Sequence, residues 1–132
     1  MNTPYILIVD DDAALLQALP QALNLRMDDI KVDTSDSALA AVKLIEENDY
    51  DAIVSDIKMP GMDGLALLSE IRLLRPNTPM LLITGHGEDD LAVRALQGGA
   101  YAFIQKPIDR DSFMDSLAGA IQKHRLLGQN EI

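Results

Sequence analysis

Polar side chains with distinct chemistries follow four short apolar runs of the sequence. Three aspartates at 10–12 follow "ILIV", and Asp56 follows "AIVS". Thr84 ends "MLLIT" directly before "GHG", and Lys106 follows "AFIQ". Grouped carboxylates repel one another unless a cation lies among them, and hard oxygen ligands suit Mg²⁺. Because a lysine offers a compact positive charge to an anion and a hydroxyl is a donor, these residue types together suit binding of Mg²⁺ and an anion.

The apolar runs that precede these residues have the length and composition of buried strands. They lie at 6–9, 52–54, 80–84 and 102–104. Continuous apolar runs of this length are typical of strands that are covered on both faces in a parallel sheet. A fifth segment, "IKVDT" at 30–34, alternates apolar and polar residues, which predicts a strand at the edge of the sheet.

Helical periodicity fills the intervals between these strands. Apolar residues recur with the spacing of an amphipathic helix in five segments, 15–23, 38–45, 65–74, 91–96 and 113–121. The order is therefore β-α repeated five times, and right-handed crossovers predict a doubly wound α/β sheet with helices on both faces. Pro20 lies inside the first helical segment, where we expect a kink or a short break because proline removes a backbone donor.

A doubly wound sheet binds its ligands at the carboxyl ends of its strands, near the point where the strand order reverses. The polar residues named above all follow the carboxyl ends of predicted strands, so the fold would bring them together at one edge. Asp12 is predicted to cap a helix, Asp63 to be a loop or capping residue, and His124 to lie on a solvated face of the last helix.

The composition limits the class of protein. The 132 residues suit one domain, and the hydrophobic fraction of 48% is enough to bury one core. The formal net charge of -10 argues against nonspecific binding to nucleic acid or anionic membranes. The chain has no cysteine, which excludes disulfides, thiol catalysis and cysteine-zinc sites. The segment "MNTPYILIVD" has neither a basic region nor a long apolar run, so we expect no signal peptide and a cytoplasmic location.

Four motifs in this order resemble the receiver domain of two-component response regulators. They are "ILIVDDD", "VSDIKMPGMDGLALL", "LLITGHGE" and "GAYAFIQKP", and the resemblance covers about residues 4–125. The last two motifs look most like receivers of enhancer-binding regulators or hybrid kinases. The resemblance implies a flavodoxin-like (βα)5 fold with strand order 2-1-3-4-5, a receiver domain at 1–126, and a polar tail or the start of a linker at 127–132.

The resemblance also implies a phosphorylation switch. Asp56 would accept a phosphoryl group from a histidine kinase or a histidine phosphotransfer domain. Asp11 and Asp56 would bind Mg²⁺ directly, or Mn²⁺ in its place, together with the backbone carbonyl of Lys58. Asp10 would take part in metal binding partly through water. Such a domain catalyses its own phosphorylation and slow dephosphorylation, and turns over no separate substrate.

The remaining implied roles concern the response to phosphorylation. Lys106 would pair first with Asp56 and then with a phosphoryl oxygen. Thr84 would donate its hydroxyl to the phosphoryl group, and Phe103 would turn inward when Thr84 moves. In receivers of this family, the peptide bond that corresponds to Lys106–Pro107 is typically cis. Most peptide bonds that precede a proline are trans.

The surface at 84–106 would then control an output domain or a partner protein. A phosphorylation-dependent homodimer is a further partner that the resemblance implies. Lys58 and His86 are the candidates for tuning the rate of dephosphorylation. No nucleic-acid contact or membrane contact is expected from this segment.

Three other classes of protein remain as alternatives. A haloacid-dehalogenase-like phosphatase would use Asp10 as nucleophile in a D-x-D pattern, but Ala14 replaces the fifth position of that pattern and the chain has no room for a cap domain. A flavodoxin-like flavin carrier would need a hydroxyl- and glycine-rich loop where the three aspartates lie. A degenerate receiver used only for docking usually lacks the phosphoacceptor, the acid pair or the lysine, and this sequence retains all of them.

Overall fold

The computed structural model of the chain describes residues 3–130. Five strands alternate with five helices along these residues, as the sequence pattern predicts. The elements are β1 (Tyr5–Val9), α1 (Ala13–Arg26), β2 (Lys31–Ser35), α2 (Ala38–Glu47), β3 (Ala52–Asp56), α3 (Gly64–Leu74), β4 (Met80–Thr84), α4 (Asp89–Gln97), β5 (Ala102–Gln105) and α5 (Arg110–Asn130).

All neighbouring strands of the sheet are parallel, and their order is β2-β1-β3-β4-β5. This order confirms the predicted doubly wound fold. The strand order reverses at β1, which pairs with β2 on one side and with β3 on the other. The alternating segment forms the edge strand β2, as predicted, because only one of its sides is paired in the sheet.

Apolar side chains of alternating strand residues build one core on each face of the sheet. Ile6 and Ile8 of β1 pack with residues of α1 and α5, whereas Leu7 and Val9 pack with residues of α2, α3 and α4. Successive strand residues point to opposite faces, so the continuous apolar runs of β1, β3 and β4 fill both cores.

The prediction that the run at 102–104 is also covered on both faces is wrong. Strand β5 lies at the other edge of the sheet, and its Phe103 is 41% exposed. All residues of β3 and β4 are buried, including Asp56. The carboxyl end of β3 is therefore held rigidly between two packed layers.

The expected break in the first helical segment is absent. Residues 13–26 form one continuous helix, so Pro20 does not interrupt it. Burial of Leu19 and Leu23 against the sheet outweighs the loss of one helical hydrogen bond, because tertiary packing supplies most helix stability in proteins. Helix α5 extends to Asn130, into the segment 127–132 that the resemblance assigns to a polar tail or the start of a linker, and the last two residues lie outside the described part.

The C-terminal helix α5 is anchored to the sheet by side chains that the sequence pattern assigned to solvent. The Nδ1 atom of His124 lies 3.1 Å from Asp51 Oδ1, and Arg125 Nε donates to the same oxygen at 3.4 Å. His124 is only 17% exposed, so its prediction as a solvated residue is wrong. Across residues 3–130, no helix combines the length and apolar character that crossing a membrane requires.

Candidate functional site

The carboxyl ends of β1 and β3 bring three carboxylates together. Asp10 and Asp11 directly follow β1, and Asp56 is the last residue of the adjacent β3. One carboxylate oxygen from each residue lies within 4.8 Å of the other two. Asp10 and Asp56 are buried, whereas Asp11 is exposed, so the cluster opens to solvent on the Asp11 side. Hard oxygen ligands in this arrangement form an acidic pocket of the kind that binds Mg²⁺.

Asp10 is the most constrained acid of this acidic pocket. Its Oδ1 atom accepts the backbone N–H of Asp12 at 2.8 Å, but its buried Oδ2 atom has no hydrogen-bond partner. Burial raises the pKa of Asp10 to about 6; the Asp12 N–H opposes this rise, and the charge of Asp56 adds to it. A buried carboxylate oxygen without a partner is costly, and a divalent cation among the three acids would satisfy it.

Asp56 is held by donors on two sides of the site. Lys106 Nζ lies 3.4 Å from Asp56 Oδ2, and the backbone N–H of Lys58 also donates to the carboxylate. Burial raises the pKa of Asp56, while Lys106 and the Lys58 N–H counteract part of that rise. The carboxylate is therefore fixed in direction, and positive charge is available beside it.

Lys106 and Thr84 come from the neighbouring strands β5 and β4. The backbone N–H of Lys106 donates to the Thr84 carbonyl at 2.8 Å, and the Lys106–Pro107 peptide bond is cis. Burial lowers the pKa of Lys106, but the charges of Asp56 and Asp10 raise it by more, so its pKa is raised overall. Thr84 is 2% exposed at the end of β4. Thr84 thus lies one strand away from Asp56, and Lys106 reaches Asp56 from one strand further.

The loop after β3 requires a glycine at position 64, where the chain passes close to the end of that strand. A Cβ atom at Gly64 would lie 2.5 Å from the Asp56 carbonyl oxygen and 2.8 Å from Ile57 Cα. Gly64 instead donates its N–H to the Ile57 carbonyl at 2.7 Å. Asp63 caps α3 through its side chain, as predicted. The loop consequently returns tightly over the end of β3 and fixes the position of Asp56.

Two of the remaining predicted residues have clear structural assignments. Asp12 accepts the N–H of Ala14 at 3.0 Å and caps α1, as predicted. The carboxylate of Asp12, the second acid of the D-x-D pair, is engaged as the cap of α1, which disfavours the phosphatase alternative. Phe103 lies on β5 and is 41% exposed.

The two candidates for rate tuning lie in loops at this end of the sheet. Lys58 follows β3 and His86 follows β4, and both side chains are exposed. Both residues therefore face solvent near the carboxyl ends of strands that carry site residues. Their effect on a rate stays a prediction.

Sequence reasoning missed Glu88, which borders the site. It lies in the acidic segment "GEDD" around the start of α4, and the residue is only 9% exposed. Its Oε1 atom accepts the N–H of Gly85 at 2.9 Å, and its charge adds to the rise in the pKa of Asp56. The spacing of three residues between Gly85 and Glu88 is the sequence signal that could have indicated this contact. An acid at this spacing can accept a hydrogen bond from the earlier backbone N–H.

A doubly wound sheet with carboxylates, a lysine and a threonine at its strand ends defines a receiver-type module. The chain belongs to the response regulator receiver domain family, whose family model matches residues 6–118. It is therefore a receiver domain of the two-component response regulators, and its setting is signal transduction.

Individual relatives place the chain near transcriptional regulators. It is 42% identical over 127 residues to the C4-dicarboxylate transport transcriptional regulatory protein DctD of Rhizobium meliloti, covering 96% of this chain and 27% of that protein. It is 33% identical over 125 residues to the DNA-binding transcriptional regulator NtrC of Escherichia coli, covering 95% of this chain and 26% of that protein. These relatives confirm the predicted resemblance to receivers of enhancer-binding regulators, and the chain spans about a quarter of their length.

Solved structures agree with the family assignment. A response regulator receiver domain protein from Clostridium thermocellum superposes with a TM-score of 0.88 at 30% identity, covering 94% of this chain and 98% of that chain. A CheY-like receiver domain protein from Methanospirillum hungatei superposes with a TM-score of 0.86 at 29% identity, covering 94% and 98%. The fold and the family are thus supported by sequence and by structure.

Proposed function

We propose that this chain is a phosphorylation switch whose phosphoacceptor is Asp56. The phosphoryl donor is the phosphohistidine of a histidine kinase or of a histidine phosphotransfer domain. The observation that carries the proposal is the geometry of Asp56, whose buried carboxylate lies 3.4 Å from Lys106 Nζ and beside Asp10 and Asp11. A carboxylate in this position is a fixed nucleophile with neutralising groups next to it, which phosphoryl transfer requires.

In the proposed step, one carboxylate oxygen of Asp56 attacks the phosphorus atom of the phosphohistidine. An O–P bond forms while the P–N bond breaks, and the imidazole leaves with the electron pair and takes up a proton. The product is an acyl phosphate on Asp56. Attack by water later returns the carboxylate and inorganic phosphate, so the chain turns over no separate substrate.

Two side chains are proposed to hold the transferred group, and a third is proposed to respond to it. Lys106 keeps its charge next to the acceptor and contacts a phosphoryl oxygen after transfer. Thr84 donates its hydroxyl to a second phosphoryl oxygen, which requires the end of β4 to approach Asp56. Phe103 then turns inward from its half-exposed position on β5. The region 84–106 is thereby the surface that changes.

The acidic pocket is proposed to hold Mg²⁺, with Mn²⁺ as a substitute. When bound, the ion offsets negative charge on the phosphoryl group. Asp11 and Asp56 would hold the ion directly, with the backbone carbonyl of Lys58 as a further ligand and Asp10 partly through water. The unpartnered buried Oδ2 of Asp10 supports a cation in this pocket.

The proposed partners are a protein that donates the phosphoryl group and a protein or domain that responds to it. A histidine kinase or phosphotransfer domain supplies the phosphoryl group, and an output domain or a separate protein reads the altered 84–106 surface. A phosphorylation-dependent homodimer is a further proposal. We also propose that the exposed side chains of Lys58 and His86 influence how long the acyl phosphate lasts, because they lie in loops that border the site.

Phosphoryl uptake tests the proposed function directly. Incubation with acetyl phosphate and millimolar Mg²⁺ is expected to add one phosphoryl group, as measured by intact mass. The same incubation with EDTA is expected to add none, because three acids without a cation repel the incoming anion. Uptake that is equal with and without EDTA would contradict the metal assignment, and absence of uptake in Mg²⁺ would contradict the function.

Replacement of Thr84 by alanine is expected to separate phosphoryl uptake from the response of the switch surface. The Thr84→Ala variant should still gain a phosphoryl group, since Thr84 is not the nucleophile. With beryllofluoride as a phosphoryl mimic, the amide signals of the variant in 84–106 should move much less than those of the wild type. The reason is that the variant lacks the Thr84 hydroxyl, which would donate a hydrogen bond to the mimic and draw the end of β4 toward it. Thr78→Ala removes another buried threonine hydroxyl, just before β4, and should respond like the wild type. Equal displacement in Thr84→Ala and wild type would contradict the role of Thr84.

A further inference from the structure

Glu88 is a buried carboxylate that has no part in the proposed phosphoryl transfer. Its side chain closes the loop between β4 and α4, because Oε1 accepts the N–H of Gly85 at 2.9 Å. The backbone N–H of Glu88 also donates to the Gly85 carbonyl at 3.3 Å. Residues 85–88 therefore form a turn that is closed by one backbone and one side-chain hydrogen bond.

The carboxylate of Glu88 holds this loop instead of capping the helix that follows it. Glu88 is the residue before α4, yet its side chain makes no capping hydrogen bond to the first turn. Gly87, with φ of +82°, lets the chain reverse so that the side chain points back. A Cβ atom at Gly85 would lie 3.1 Å from Glu88 Oε2, so the carboxylate packs directly on the Gly85 backbone.

The charge of Glu88 also acts on the acceptor. It adds to the pKa rise that burial causes at Asp56. Asp56 pairs with Ile83 in the sheet, so the loop that starts at Gly85 begins beside the end of β3. Glu88 is thus a fixed negative charge at the border of a site that is already rich in carboxylates.

We propose that Glu88 is a positioning residue that senses the charge on Asp56: its carboxylate holds the 85–88 loop closed in the unphosphorylated form and releases Gly85 when Asp56 carries a phosphoryl group. The inference rests on the phosphorylation of Asp56 proposed above. It identifies the hydrogen bond between Glu88 and Gly85 as the contact that must break before Thr84, the neighbour of Gly85, can move.

The physical reason for release is repulsion between like charges away from bulk water. Phosphorylation replaces the single negative charge of the Asp56 carboxylate by the up to about two negative charges of an acyl phosphate, and such charges interact more strongly in a partly buried site than in solvent. Glu88 has a better position available, because the N-terminus of α4 is exposed at Asp89 and Asp90 and its dipole favours an anion. The same repulsion opposes the approach of an anionic phosphodonor, so Glu88 also slows phosphoryl uptake.

A variant that keeps the hydrogen bond but removes the charge tests this inference. Glu88→Gln retains an oxygen that can accept from Gly85, whereas Asp89→Asn removes the same charge from the next residue, which is exposed. Both variants and the wild type are phosphorylated with acetyl phosphate and Mg²⁺ and followed by intact mass. Amide signals are recorded with and without beryllofluoride.

We expect Glu88→Gln to gain the phosphoryl group several-fold faster than the wild type and Asp89→Asn to stay close to the wild-type rate. Beryllofluoride should move the Gly85 amide signal strongly in the wild type and in Asp89→Asn, and only weakly in Glu88→Gln, where no charge repels the side chain. A purely structural hydrogen bond would leave Glu88→Gln like the wild type in both measurements.

Three results would overturn the inference. The first is a Glu88→Gln variant that matches Asp89→Asn in rate and in amide response. The second needs no variant. If beryllofluoride moves the wild-type amide signals next to Asp56 but leaves the Gly85 amide signal unchanged, the loop is not released. The third is a wild type that takes up no phosphoryl group, which removes the proposed function and the trigger with it.

Discussion

Replacement of Asp56 by asparagine is expected to abolish phosphoryl uptake from acetyl phosphate. The amide of asparagine is uncharged and a poor nucleophile, so the O–P bond cannot form at this position. No other described acid has the combination of burial, a 3.4 Å contact with Lys106 Nζ and a place in the acidic pocket. Intact mass after incubation with Mg²⁺ should therefore show one added phosphoryl group in the wild type and none in Asp56→Asn.

A matched control separates loss of the acceptor from a general loss of charge. Asp115→Asn removes a carboxylate from the exposed surface of α5 and should leave uptake at the wild-type level. Asp56→Asn should remain folded, because it replaces a buried acid whose pKa is already raised by burial with a neutral group of similar shape. If Asp56→Asn gained the same mass as the wild type, Asp56 would not be the acceptor.

The sequence predicts most of this site because the pattern of the strands determines where each strand ends. An apolar run that is buried on both faces must end where a charged residue begins, so Asp10 and Asp56 mark the same edge of the sheet. Parallel pairing of β1 with β3 then brings their carboxylates within 4.8 Å. The spacing along the chain and the rules of parallel sheets are sufficient for this part of the site.

Side-chain direction in loops and at helix ends is the part that the sequence does not determine. Glu88 and Asp89 are adjacent acids, yet only Glu88 is buried, because the reversal at Gly87 turns its side chain toward Gly85. His124 has a polar pattern typical of a solvated face, but Asp51, 73 positions earlier in the chain, binds it. Such contacts depend on the approach of distant segments, which local periodicity does not contain.

The three acids also differ in ways that residue type does not reveal. Asp11 is exposed to solvent, whereas Asp10 is fully buried with one oxygen unpartnered. The electrostatic cost of a pocket without a cation therefore falls mainly on Asp10. Relief of that cost by Mg²⁺ connects metal binding to the stability of the whole domain.

Replacement of Asp10 by asparagine is accordingly expected to stabilise the domain in EDTA at neutral or alkaline pH. Burial raises the pKa of Asp10 from 3.8 to about 6 in the folded chain, so the folded state binds a proton more tightly than the unfolded state. The wild type should lose stability as the pH rises through the interval between these two values, by up to roughly 3 kcal/mol in total. The asparagine side chain of the variant has no such proton to lose, so the advantage of the variant should be small below pH 4 and largest above pH 7.

Thermal melts of Asp10→Asn, Asp11→Asn and wild type across this pH range test the expectation. In EDTA, the difference between Asp10→Asn and wild type should grow with pH, while the exposed Asp11→Asn should show a much smaller difference. Millimolar Mg²⁺ should raise the wild-type melting temperature at pH 8 and raise that of Asp10→Asn less, because the asparagine leaves less repulsion for the cation to relieve. If the difference in melting temperature between Asp10→Asn and the wild type were the same at pH 8 as at pH 5, Asp10 would carry no electrostatic cost. A wild-type melting temperature that millimolar Mg²⁺ leaves unchanged would contradict the metal site, because a cation that binds only the folded state must stabilise it.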